Sequence, residues 1–215
     1  MQVKTAYLDA AGSVTALLRE PAVGAAWGGA SALAEFSVGG LAAHLARQVL
    51  LGQALLAPGA ASGVPEEPPI TLLDHYARVE WLGTGLHDEV NVRLRQRSEK
   101  DAADGPAALA GRTEAAVTAL RAALPAEPDG RLVYLSWGPW WLALDDFLVT
   151  RMMEIAVHSD DLAVSVGIAA PPLPPRVLDP VLALLARLAV RRHGQSAVLS
   201  AFSRSERAPA TIAAI

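Results

Sequence analysis

Between Thr150 and Leu162 four ionisable side chains, Arg151, Glu154, His158 and Asp161, are set into an otherwise apolar helical pattern. At 3.6 residues per turn Glu154 and His158 lie one above the other, with Arg151 a turn before and Asp161 a turn after. Met152, Ile155, Ala156, Val157 and Leu162 are apolar, so the polar stripe is expected to face an interior cleft. A buried charge needs a partner. Either the stripe pairs internally or a cation sits against it, because a carboxylate and an imidazole one helical turn apart can grip one divalent metal. One helix supplies two ligands, so a metal centre needs a third from elsewhere.

The chain that must position this stripe is 215 residues long, enough for one domain with a real core. Its richness in Ala and Leu, with few β-branched runs, favours helices over a large sheet. The net charge of −4 and the scatter of basic residues argue against a nucleic-acid face. The opening Met1-Gln2-Val3-Lys4-Thr5 has no apolar signal core, and no apolar run approaches the ~20 residues of a membrane span. The expectation is a cytoplasmic protein without membrane partners. Cysteine is absent, which excludes disulfides and thiolate-ligated zinc, and any thiol chemistry here must use a thiol brought in.

Apolar residues at helical spacing predict a first helix over Val3 to Arg19, followed by an ordered loop through residue 36 that carries Pro21, Gly28, Trp27 and Phe36. Ser37 is a good N-cap for a second helix, Val38 to about Leu56, in which Leu41, His44, Leu45 and Gln48 share a face. Residues 57 to 70, with four prolines, read as a connector. Thr71 and Asp74 resemble a capping box that starts a long polar helix to about Ala102, containing His75, Trp81 and His87. Both histidines are expected at the surface, and the charges from Arg93 to Lys100 on a solvated face. Gly105-Pro106 breaks the pattern before a helix over Ala107 to Leu124. Arg131 to Ser136 reads as extended, the key helix runs from about Leu142 to Val166, and Gly167 ends it. Arg176 to Arg192 is a further helix, and Ser196 to Ser203 a strand or strap.

Two groups of residues admit two readings each. His44 alone on an apolar face is either a core histidine bonded to a carbonyl or a metal ligand. Trp137, Trp140 and Trp141 either plug one end of a bundle or wall a pocket beside the ionisable stripe.

Trp27-x-x-x-Ser31, the run Phe36-Ser37-Val38-Gly39-Gly40-Leu41-Ala42-Ala43-His44-Leu45-Ala46, and Arg151-x-x-Glu154-x-x-x-His158-x-x-Asp161-Leu162-Ala163 together resemble the metal-binding domain of mycothiol-dependent maleylpyruvate isomerases, within the DinB-like superfamily. The resemblance implies a mainly α fold, a DinB-like four-helix bundle over residues 1–167, with 168–215 as a short helix-plus-strand extension. It implies a divalent metal, zinc or another ion such as Ni²⁺, held by His44, Glu154 and His158. Arg151 and Asp161 flank that motif as candidate catalytic residues, and the three tryptophans as walls for mycothiol. The implied activity is an isomerase or S-transferase acting on an electrophilic small molecule through a metal-bound thiolate. The alternative is a non-catalytic metal-binding or small-molecule-binding module. Mycothiol further implies an actinobacterial origin; the oligomeric state is open.

Overall fold

The apolar residues of the first segment, Tyr7, Ala10, Val14 and Leu17, recur every three or four positions, and they bury one face of helix α1 (Gln2–Leu18). In a computed structural model of the chain, residues 2–56, 67–80 and 82–215 are described. The helices that follow are α2 (Pro21–Ala25), α3 (Val38–Leu56), α4 (Leu72–Arg78), α5 (Glu89–Asp101), α6 (Pro106–Ala123), α7 (Leu144–Val166), α8 (Pro175–His193) and α9 (Gln195–Ser203). Two short strands, β1 (Leu132–Leu135) and β2 (Trp140–Ala143), pair antiparallel, with Leu132 opposite Ala143 and Leu135 opposite Trp140. No helix among the described residues is long and apolar enough to cross a membrane.

Helices α1, α3, α6 and α7 form the expected DinB-like four-helix bundle, in which α7 packs on α1 and α3, and α6 closes the other side. The segment expected as a helix over Ala107 to Leu124 supplies the third bundle helix, and the one beginning at Leu72 stays outside. Residue pairing fixes one direction: Gln48 meets Arg151 while His44 meets Glu154, so α3 and α7 run antiparallel. Apolar side chains fill the rest of the seam. Leu41, Leu45, Phe147, Leu148 and Met152 are each fully buried. Close approach of α1 to α3 needs Gly52, where a Cβ would overlap the Tyr7 hydroxyl.

Termini follow the chemistry of their residues. Ser37 Oγ accepts from the Gly40 amide at 2.8 Å, and Glu99 of α5 accepts from the Ser37 amide and hydroxyl at 2.9 and 2.7 Å, placing a carboxylate at the positive end of α3. Gly167, in the left-handed region with φ 71°, ends α7 as expected, and the Ile168 amide returns to the Ala163 carbonyl at 3.1 Å.

Four expectations need correction. The loop through residue 36 contains a short helix, α2, because Pro21 presets φ at its first turn. The single helix expected over Leu72 to Ala102 is two, α4 and α5. Gly83 takes φ 84° between them and Asp88 restarts the chain, accepting from the Gly85 amide at 2.7 Å. The helix expected from about Leu142 begins at Leu144, because Leu142 and Ala143 belong with Trp140 and Trp141 to strand β2. Residues 195–203 are helical, since Gln, Ala, Leu and Ser carry no strand preference and Val198 is the one β-branched residue among them. Of the connector expected at 57–70, residues 57–66 lie outside the described residues, as does Trp81.

Candidate metal centre

The antiparallel packing of α3 against α7 brings His44 to the Glu154–His158 face. Glu154 Oε2 lies 3.2 Å from His158 Nε2 and 3.7 Å from His44 Nε2. One ligand atom from each of the three residues falls within 4.8 Å of the other two. In a tetrahedral shell with bonds of about 2.0–2.1 Å, ligand atoms sit about 3.4 Å apart, so the spacing fits a single divalent ion. The two imidazole rings are nearly perpendicular, at 82° with centroids 4.7 Å apart, and Phe36 packs edge-on to His44 at 5.9 Å. His44 and Glu154 are buried and His158 nearly so.

Around these three, the other members of the stripe take separate roles. Asp161 Oδ2 is 3.0 Å from His158 Nδ1, so it fixes the ring and leaves Nε2 turned to Glu154. Among the described residues Arg151 forms no ion pair across the helices. Its Nη1 donates to Gln48 Oε1 at 2.6 Å and its Nε to Thr150 Oγ1 at 3.0 Å, and its guanidinium lies 5.3 Å from the centroid of the Phe147 ring. Gln48 in turn donates from Nε2 to the His44 carbonyl at 2.9 Å, while its own carbonyl accepts from the Tyr7 hydroxyl at 3.0 Å. An amide on an apolar face, four residues after His44, was the sequence signal for this tether.

The electrostatics divide the two histidines. Burial lowers the His44 pKa and keeps that imidazole neutral, although Glu154 opposes the shift. Burial acts the same way on His158, but the carboxylates of Asp161 and Glu154 on either side overcome it and push its pKa up to about 9. Burial also works to neutralise Glu154, yet contacts from His158 and His44 and the charge of Arg151 hold its carboxyl well below the usual carboxylate range. In the absence of a metal the His158 proton therefore supplies the positive charge between two acids.

His75, expected at the surface, is buried instead, and its Nδ1 accepts from Trp140 Nε1 at 3.1 Å. The polar neighbours of His75 in sequence hid this, because the face of α4 that turns inward is chosen by its packing on α7. His87 is exposed as expected. Of the three tryptophans, Trp140 reaches this layer, Trp141 stands across the hairpin from Tyr134 with centroids 5.2 Å apart, and Trp137 projects at the turn, 48% exposed.

Burial first, and then the Arg151 charge, lower the His75 pKa from 6.5 to about 4. The unfolded chain thus binds more protons between those values, so the contribution of neutral His75 is complete above pH 6.5 and is lost as pH falls towards 4. We expect this window to remove about 3 kcal/mol at most, at ~1.36 kcal/mol per unit. In urea titrations across that range His75→Gln should lack this part of the acid loss; an unchanged slope would place the loss elsewhere.

Residues 8–163 match the mycothiol maleylpyruvate isomerase N-terminal domain. The chain belongs to this family. Two crystal structures share its fold, those of mycothiol-dependent maleylpyruvate isomerase and of a His-to-Ala mutant of that enzyme. Their TM-scores are 0.55 and 0.54, each at 18% identity and covering 87% of this chain and 68% of the other. No curated protein sequence matches the chain.

Proposed function

We propose that the chain is a divalent-metal-dependent enzyme that uses a low-molecular-weight thiol, mycothiol on the strength of its family, to isomerise or S-conjugate an electrophilic small molecule. The observation that carries this reading is the convergence of His44, Glu154 and His158 from two facing helices, with Asp161 bracing one of them. Two imidazoles and one carboxylate suit zinc, and they also admit Ni²⁺ or another first-row ion. We assign the role to residues 1–167, with 168–215 as an extension whose α8 packs on α1 and α7.

Once bound, the ion would supply positive charge that brings a thiol pKa from ~8.5 into the neutral range. The chain's own residues do the rest. Glu154 is held ionised and His44 neutral, the states in which each can ligate. Asp161 accepts the Nδ1 proton of His158 and keeps Nε2 aimed inward. Phe36, edge-on to His44, provides apolar surface that limits water beside the centre, and we assign Trp140, bonded to His75, with Trp141 and Trp137 on the same hairpin, as the walls of the thiol pocket. Arg151 offers a guanidinium to the substrate side.

Elemental analysis of protein purified without added metal tests the first half of the reading, and we expect close to one ion per chain. Mycothiol-dependent turnover of electrophiles tests the second. A metal-free protein removes the whole proposal, whereas a metal-loaded protein indifferent to thiol is a binding module.

A further inference from the structure

Between α2 and α3 the chain makes a loop with a fixed base and a lightly held tip. At the base the Val38 and Gly39 amides donate to the carbonyls of Gly29 and Trp27, each at 2.8 Å, and Ala30 bridges to Ser37. The Trp27 ring lies so close to Gly39 that a Cβ there would stand 2.7 Å from it. The tip, residues 31–36, is bonded mainly within itself: the Ser31 amide donates to the Phe36 carbonyl at 3.0 Å and the Ser31 hydroxyl to the Leu33 carbonyl at 2.9 Å. Among the described residues one hydrogen bond ties the tip to another element, from the Ala32 amide to Ser165 Oγ on α7 at 2.8 Å. Ser165 Oγ in turn donates to the Asp161 carbonyl at 2.6 Å. Phe36 is buried and meets His44 edge-on, with centroids 5.9 Å apart, whereas Ala32, Ala34 and Glu35 are exposed. Two features work against this closed position. Glu35 holds φ 66°, a left-handed conformation that glycine and asparagine accept and glutamate seldom does. His44 Nδ1 is buried without a hydrogen bond. With Nε2 turned to Glu154 as a ligand, Nδ1 carries the proton, and a ligating histidine ordinarily gives that proton to an acceptor, as His158 does to Asp161.

We propose that residues 30–37 form a gate over the His44 side of the centre, with Phe36 as its cover, Ser165 as the latch that holds it to α7, and Glu35 as the strained point at which it springs. A segment held by one bond and one ring, against a strained residue and an unpaired donor, has a low-lying open state. Opening withdraws the Phe36 ring from His44, lets the Nδ1 proton meet water and gives a small ligand a path to the three converging side chains. The identity of that ligand rests on the function proposed above; the opening itself does not.

Diethyl pyrocarbonate, which acylates neutral imidazole, is the probe, applied at neutral pH to metal-free protein, with the modified histidines quantified by mass spectrometry. Exposed His87 is the internal control. Phe36→Ala sets the rate for an uncovered His44. We expect Ser165→Ala, which removes the latch, to speed His44 modification about two- to tenfold. Glu35→Val, a β-branched residue at positive φ, should speed it about fivefold or more, and Glu35→Asn, which accepts that φ, should slow it about threefold. His87 should react alike in all of them. In zinc-loaded protein Ser165→Ala should raise the rates of zinc uptake and of release to EDTA by the same factor and leave Kd unchanged, as a gate does and a ligand does not. A His44 rate that responds to Phe36→Ala but to neither Ser165 nor Glu35 makes the loop a fixed wall and overturns the proposal, as does a rate indifferent to Phe36→Ala. If zinc fails to bind while the His44 rates follow Ser165 and Glu35, the metal reading falls and the gate stands; stoichiometric zinc with His44 rates indifferent to both residues is the reverse.

Discussion

His158→Ala will give a helical protein that keeps no stoichiometric metal and shows no thiol-dependent signal. The side chain contributes one of three converging ligands and lies outside the apolar core, so its loss leaves α7 intact while the centre drops to two ligands. Cobalt makes the consequence visible. A cobalt–thiolate bond absorbs in the near ultraviolet, and the chain has no cysteine to produce that band, so a band that grows on adding mycothiol to cobalt-loaded wild-type protein reports the added thiol alone. We expect it in the wild type and not in His158→Ala. A cobalt protein that stays silent at saturating mycothiol ends the thiol reading.

The same residue sets the pH dependence of metal uptake. An unperturbed histidine would compete with the metal only below about pH 6.5, which is what the sequence leads one to expect. Asp161 and Glu154 hold the His158 proton up to about pH 9, so the metal must displace it at neutral pH. Zinc affinity should therefore rise about tenfold per pH unit between 6.5 and 9, with about one proton released per ion at pH 7.5. Titrations in buffers of different ionisation enthalpy count that proton; an affinity flat above pH 7 would show that His158 is already neutral.

The largest expected loss of stability is that of Phe147→Ala. This ring is fully buried in the face of α7 that meets the bundle, and it also carries the Arg151 guanidinium at 5.3 Å. Truncation removes the transfer free energy of the ring and leaves a cavity between helices that cannot collapse freely, together about 3–5 kcal/mol. Thermal unfolding should begin about 10 °C lower or more. Phe147→Leu, which fills most of the space, should lose about 1–1.5 kcal/mol. A Phe147→Ala protein as stable as the wild type would mean that α7 is not anchored through this contact.

How much of this was legible in advance follows from the range of the forces involved. Helix bounds are set by residues within a turn or two, and Ser37, Gly105-Pro106 and Gly167 mark them in the sequence as they do in the structure. Where the local signal was weak the expectation failed. Residues 79–88 carry Gly83 and Gly85 inside a polar run, and α9 follows Gly194 with no periodic apolar pattern long enough to decide it.

The amino-acid sequence alone determined that Arg151, Glu154, His158 and Asp161 share one helical face, because a period of 3.6 residues requires it. It also determined that any thiol must come from outside, because the chain has no cysteine. Which groups those four meet was decided by the tertiary structure. The register of α3 against α7 delivers His44 to Glu154 and Gln48 to Arg151, and a rotation of either helix by one residue, about 100°, would carry these partners away. Packing of α4 likewise turned His75 inward against Trp140. Periodicity specifies a face; only the interlocking of side chains between helices specifies what that face opposes.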